Sequence, residues 1–163
     1  MPSYKAEARM PLAVAQVLAA KFSYALGQHG ISRTEVSGSI RRQEKTIGDI
    51  DLIVEGDLSR VGEIPGVEIK EGGSERVTVV YEGQQINIFR AEDLYWGAMM
   101  MYLSGPTGAT IAYRQKAAIK GYLLNQYGLF DKDRKKIAGE TEEGIFQAIG
   151  HTMKPPELRG KKR

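Results

Sequence analysis

Residues 37–54 read SGSIRRQEKTIGDIDLIV, and how this run is read decides the fold. Its last five residues, IDLIV, form an apolar strand, with Asp49 and Asp51 flanking one residue at its start. Side chains two apart on a strand share a face, so the two carboxylates converge. Converging carboxylates repel unless a cation lies between them, and hard cations such as Mg2+ take oxygen ligands of this kind. Upstream, Gly38-Ser39 turns out of another short strand, residues 31–36 (ISRTEV), and lets backbone amides and a hydroxyl approach a phosphate closely. Arg41 and Arg42 add positive charge, and a guanidinium fork matches phosphate oxygens. Taken alone, the aspartate pair reads more readily as a solvated strand edge than as a metal site. Phosphate donors followed by a metal-binding pair describe a site for a nucleoside triphosphate with Mg2+.

Working outward, residues 11–26 are expected to form an amphipathic helix, with Pro11 in its first turn and Val14, Leu18, Phe22 and Leu26 as one stripe. Further strands are expected at 67–69, 76–81 and 84–89, the last two joined as a hairpin at Glu82-Gly83. After Arg90 the pattern turns helical over 91–103, 110–124 and 141–149, separated by SGPTG and by NQYGLFDKDRKKIAGE. Thr141 with Glu142 and Glu143 makes a sound helix start, and Gly150 with Pro155-Pro156 closes that helix. The expectation is an α+β chain: a lobe of helices on a mixed sheet over 1–90, a small helical lobe over 91–153 and a basic tail over 154–163.

With 42% hydrophobic and 26% charged residues among 163, a disordered or fibrous chain is excluded. Cysteine is absent, which rules out disulfides, thiolate metal sites and cysteine nucleophiles and agrees with a reducing compartment. No run approaches the ~20 apolar residues of a membrane span, and the start, MPSYKAEARM, lacks a signal peptide's apolar core. A cytoplasmic protein without membrane contact is expected. The net charge of +3 is uneven: residues 1–111 balance at −3, 112–136 at +5, 137–153 at −3 and the last ten at +4. A basic segment after an acidic body fits a polyanion binder, although charge alone fits a solvated helix face and loose tail equally well. Lys116, Lys120, Arg134, Lys135 and Lys136 lie in this basic segment. His29 and His151 read as surface residues, and Trp96, Met99, Met100 and Met101 as packing.

The 37–54 run resembles the nucleotidyltransferase signature of the family X DNA polymerases, the polymerase-beta-like enzymes. Residues 102–130, YLSGPTGATIAYRQKAAIKGYLLNQYGLF, resemble that family's thumb segment, and TEEGIFQAIG with PPELR, within 141–159, its C-terminal ending. The likeness covers about residues 9–160 and omits the N-terminal lyase and DNA-gripping domains, leaving a nucleotidyltransferase palm over 1–90 and a thumb over 91–153, as in the minimal viral members. The resemblance implies that Gly38, Ser39 and Arg42 hold the triphosphate, that Gly48 allows close backbone approach, and that Asp49 and Asp51 bind two Mg2+ ions, with Mn2+ as a substitute. It implies that Tyr102 packs by the sugar and disfavours a 2′-hydroxyl, with Gly105 in the turn beside it. Thr110 and Arg114 would face the minor groove at the nascent pair, Thr110 standing for a longer amide side chain and Leu103 for an aromatic. The resemblance also implies that Lys116, Lys120, Arg134, Lys135 and Lys136 contact a phosphate backbone.

The family's third catalytic and metal-binding carboxylate falls, in this sequence, at Asn87 of QINIF. An amide keeps the shape but supplies no negative charge and no base, so nucleotide binding is expected to survive and turnover to be weakened. A deliberate substitution that stalls the enzyme and a natural chain with weakened chemistry both fit. Gly105-Pro106 stands where the family has an unusual cis peptide, and cis is expected here because it costs only ~0.5–1 kcal/mol before proline. The implied function is a monomeric DNA polymerase that adds dNTPs to a DNA 3′ end on gapped or primer-template duplex in repair. The alternatives are a non-catalytic nucleotide- or DNA-binding module, and a nucleotidyltransferase acting on RNA or protein.

Overall fold

The computed structural model describes residues 9–161; the leading MPSYKAEA and the final two residues of the basic tail lie outside the described residues. The chain divides into two compact units, one ending at Arg90 and the other beginning at Ala91. The first contains β1 (Met10–Pro11), α1 (Leu12–Gly27), β2 (Ile31–Ser37), α2 (Gly38–Arg41), β3 (Thr46–Ile47) and β4 (Ile50–Gly56). A 3-10 turn, Leu58–Glu63, then leads to β5 (Val67–Glu71), β6 (Arg76–Tyr81) and β7 (Gln84–Arg90). The main sheet runs β2-β4-β7-β6-β5, and its one parallel pairing is β4 with β7.

Alternation along β4 and β7 sorts the two faces of this sheet. Ile50, Leu52 and Val54, with Ile86 and Ile88, enter the core that α1 also fills. Asp51 and Asn87, offset by one residue, therefore face the opposite side. The helix buries Ala15, Leu18, Ala19, Phe22 and Leu26, whereas Val14 is 53% exposed. The expected stripe ran at strict four-residue steps, which drift about 40° around a helix at each step, and so Val14 turns away from the core. Gly38-Ser39, expected as a turn, opens the four-residue α2.

The second unit begins with a 3-10 turn, Asp93–Tyr95, followed by α3 (Trp96–Ser104), α4 (Thr107–Ile119), β8 (Leu123–Asn125), β9 (Gly128–Phe130), β10 (Lys136–Ala138), α5 (Glu142–Ile149) and a last 3-10 turn, Pro156–Leu158. Two sequence expectations fail here. The helix expected to reach 124 stops at Ile119: Gly121 takes φ +81, and the Tyr122 amide bonds back to the Ala117 carbonyl. The stretch expected as a linker instead forms an antiparallel sheet, β10-β9-β8, that buries Leu124 and Leu129. Strands of three residues are too short to show alternation in sequence.

Thr141 caps α5 by accepting from the Gly144 amide at 3.0 Å, and Gly150 ends it in the left-handed conformation. The segment beyond is not a loose tail. Arg159 is 1% exposed, gives two hydrogen bonds to Glu142 at 2.9 and 3.1 Å, and donates through Nε to the Lys154 carbonyl. His151 is not a plain surface residue either, because its ring lies 5.0 Å from Tyr113 and 5.8 Å from Phe146. Among the described residues no helix is long and apolar enough to cross a membrane.

Candidate active site

The parallel register of β4 and β7 sets Asp51 level with Asn87, and one step earlier brings Asp49 beside Gln85. Each carboxylate thus faces a carboxamide. Asn87 Nδ2 donates to Asp51 Oδ1 at 2.9 Å, and Gln85 Nε2 donates to Asp49 Oδ2 at 3.4 Å. The Asn87 oxygen accepts from Gln85 Nε2 at 3.1 Å and from the Thr78 hydroxyl at 3.0 Å. Burial pushes the Asp51 carboxyl above the ordinary carboxylate value; the Asn87 bond lowers it, the charge of Asp49 raises it, and Arg76 and Arg42 lower it. The two acids therefore sit close enough to repel, as the alternation predicted. A pair of oxygen-only donors under mutual repulsion fits a hard divalent cation. The third place holds a carboxamide, and among the described residues no group of three or more His, Cys, Asp or Glu is set to hold a metal.

Upstream of the acid pair, Ser37 pairs with Asp51 across β2 and β4, which puts Gly38 directly beneath the acid. Gly38 has φ +60, and a Cβ there would come 2.4 Å from Asp51 Oδ2. Backbone geometry and carboxylate together demand glycine. Ser39 and Arg42 lie at either end of the following turn, both half-buried, with Arg42 Nε donating to Glu44 at 3.3 Å. Arg41 is directed elsewhere: it lines a groove along α1 with Gln16, Ser23 and Gln43.

Sequence reasoning missed Arg9. Its guanidinium donates to the Thr46 hydroxyl at 2.9 Å and the Thr46 carbonyl at 2.8 Å, and a Cβ on Gly48 would lie 2.9 Å from Arg9 Nη1. Gly48 therefore lets a cation approach the turn that leads into Asp49. The cause is the two-residue β1–β3 pairing, Met10 with Ile47 and Pro11 with Thr46, which leaves no periodic trace in sequence. Gln85 and Thr78 were missed as well. Gln85 could have been found, since it stands two residues before Asn87 and so shares its face.

The second unit carries the remaining candidates. Tyr102 is half-buried on α3, Gly105 is buried at its end, and the Gly105–Pro106 peptide is cis, as expected. Arg114 is exposed on α4 and lines a groove of about 300 Å3 with Ile111, Gln115, Ala118, Tyr122 and Leu123. Thr110 points the other way: it is buried, and its hydroxyl has no hydrogen-bond partner, so it does not share the exposed face that carries Arg114. Lys116 and Lys120 are exposed, Lys116 donating to the Gly150 carbonyl at 3.4 Å. Arg134 and Lys135 stand on a turn held by Asp131, whose carboxylate accepts from the Asp133 and Lys135 amides. Lys136 folds back to donate to the Leu94 carbonyl, which commits its amine to the fold.

Comparison with known proteins bears on both units. The family model for the DNA polymerase beta thumb matches residues 99–160. Repair DNA polymerase X of African swine fever virus is 27% identical over 136 residues in a South African tick isolate and 28% identical over 138 in a Malawian one. Each match covers 75% of this chain and 78% of the relative. Over three quarters of its length the chain is similar to a small viral repair polymerase, and its second unit to the polymerase beta thumb. Its fold agrees: Leishmania infantum polymerase beta, solved as a ternary P/T complex, superposes with a TM-score of 0.80 at 18% identity, covering 95% of this chain and 78% of that one. The ternary gap complex gives 0.80 at 17%, covering 95% and 72%. The segment matched by the thumb model takes in α4 and α5, the short sheet and the buried Arg159, the parts expected from sequence as helix, linker and tail.

Proposed function

We propose that this chain transfers a nucleotide from a dNTP to the 3′ end of gapped or primer-template DNA, with Mg2+ held by Asp49 and Asp51 and Mn2+ as its substitute. The observation that supports this most is the Asp51 carboxylate passing over Gly38, because it ties the phosphate-binding corner and the acid pair into one site. Gly38, Ser39, Arg42 and Arg9 bring amide, hydroxyl and guanidinium donors to the triphosphate. A bound divalent ion lowers the pKa of an attacking hydroxyl and offsets charge on the leaving phosphate. The acid pair orients the oxygens that take the ion, and Gln85 keeps Asp49 in place beside it. Tyr102 and Gly105 are assigned to the sugar and Arg114 to the DNA minor groove. Lys116, Lys120, Arg134 and Lys135 are assigned to the phosphate backbone, where the thumb would be residues 91–153.

Asn87 accepts no proton, so general-base help is missing from the third position, a loss that typically costs about 10²–10⁴ in rate. A second reading, a nucleotide- or DNA-binding module without turnover, is favoured by the way Asn87 is fully engaged by Asp51, Gln85 and Thr78. Primer extension on a one-nucleotide gap, with Mg2+ or Mn2+, separates the two. The polymerase reading expects slow extension that rises about 10²–10⁴-fold in Asn87→Asp. No extension by either chain, with nucleotide binding intact, selects the binding module. Preference for RNA or protein acceptors would reject the DNA assignment.

A further inference from the structure

The Asn87 amide can sit either way round in its slot, and its neighbours decide which. An ionised carboxylate only accepts hydrogen bonds, so whatever faces Asp49 or Asp51 must donate. Gln85 Nε2 faces Asp49, which fixes the Gln85 amide; the same nitrogen lies 3.1 Å from the near atom of Asn87, which must then be oxygen. Nδ2 is left to face Asp51 at 2.9 Å, where a donor is again required. Thr78, paired with Asn87 across β6 and β7, gives its hydroxyl proton to the same oxygen at 3.0 Å. Two carboxylates at the ends of one hydrogen-bonded chain thus enforce a single orientation. The opposite one would set acceptor against acceptor at Asp51 and donor against donor at Gln85.

That orientation has a consequence for cations. The only atom of Asn87 able to ligate a hard cation is its oxygen, and that oxygen is turned away from Asp51 and held by two donors. The N–H directed at Asp51 occupies the side of the carboxylate that a second ion would share, and a cation cannot approach a donor proton. We infer that Gln85 and Thr78 lock the Asn87 amide so that the acid pair fills with one tightly held divalent cation and leaves the second position to a loosely held one. This rests on the reading of Asp49 and Asp51 as the metal–nucleotide site. It makes Gln85 and Thr78 positioning residues that act through Asn87, and it assigns them a role in the number of ions bound.

Mn2+ titration of the full chain with a non-hydrolysable dNTP analogue, followed by electron paramagnetic resonance, counts the ions without requiring turnover. One tight ion is expected, with a second bound at least about tenfold more weakly, the scale of losing one charged ligand bond. Asn87→Asp should show two tight ions. The paired variant Thr78→Val with Gln85→Leu removes both donors to the Asn87 oxygen and should tighten the second ion about tenfold relative to the first. Two equally tight ions in the unaltered chain, or no change in the second ion in the paired variant, would overturn the lock. No ion at all with nucleotide present would instead remove the metal–nucleotide reading, and the lock with it.

Discussion

The two units use buried polar groups for opposite ends. In the first, Asp51, Asn87, Gln85 and Thr78 form a chain of hydrogen bonds on one face of the sheet, and the acid at its centre is kept close to a neighbour that repels it. In the second, Arg159 and Glu142 are buried as a bidentate pair that pins the last turn to α5, with the guanidinium 5.2 Å over the Phe146 ring. The first arrangement keeps like charges close together, whereas the second neutralises charge to hold a chain. The contrast shows that burial alone does not mark a candidate site; a like charge kept beside a buried acid, as Asp49 is beside Asp51, sets the two pairs apart.

The largest effect should come from disturbing the neutralised pair. Glu142→Ala leaves Arg159 buried without its partner and should lower the stability of the second unit by about 3–5 kcal/mol, measured by denaturant unfolding. Nucleotide binding to the first unit should survive at temperatures where both chains are folded. A loss of nucleotide binding of the same size would erase the distinction drawn between the units. Two glycines sharpen it. A Cβ on Gly97 would come 2.3 Å from the Thr141 carbonyl carbon, so Gly97→Ala should cost about 1–3 kcal/mol of stability through overpacking where α3 meets α5. Gly38→Ala meets both the Asp51 carboxylate and a left-handed backbone, itself worth about 1–2 kcal/mol. It should weaken nucleotide binding at least about tenfold in a fluorescence titration.

Smaller effects should separate the exposed cations from the committed one. Replacing Arg134 and Lys135 together by Ala should flatten the dependence of log affinity for duplex DNA on log salt, by about 0.9 for each phosphate no longer neutralised. Lys136→Ala should leave that slope unchanged and lower the melting temperature, because its amine serves the Leu94 carbonyl. The smallest effect concerns His151, whose pKa burial lowers, with Lys116 and Lys154 adding to the shift. A histidine with a depressed folded pKa binds its proton first in the unfolded chain. Its contribution is complete above the ordinary value of about 6.5 and is lost as pH falls through the folded value. Thermal melts from about pH 7.5 down to about pH 5 should show this decline, and it should be flatter in His151→Phe.

Much of the candidate site's face was legible because a strand's two-residue period is short and local. SGSIRRQEKTIGDIDLIV carries the acid pair, the glycine beneath it and Arg42 within eighteen residues, and the hairpin at Glu82-Gly83 delivers Asn87. Arg9 stayed hidden because its position depends on a two-residue bridge to Ile47, a pairing made across more than thirty residues of chain. In the second unit, Leu123–Asn125 and Gly128–Phe130 stayed hidden because three residues cannot display a period. Thr110 and Lys136 stand apart from the exposed candidates for a different reason: residue type gives the chemistry a side chain can do, while the helix face or hairpin turn decides where that chemistry points.

The pairing of β4 with β7 is the one place in the main sheet where strands run the same way, and parallel neighbours require a long return path between them. Here residues 57–83 make that return. Within that return only residues 72–74, exposed between β5 and β6, can change in length while Thr78 and Gln84–Arg90 keep their register. That exposed turn is therefore the natural insertion point for a purification handle or a fluorescent reporter, with the candidate residues on β4 and β7 left in place.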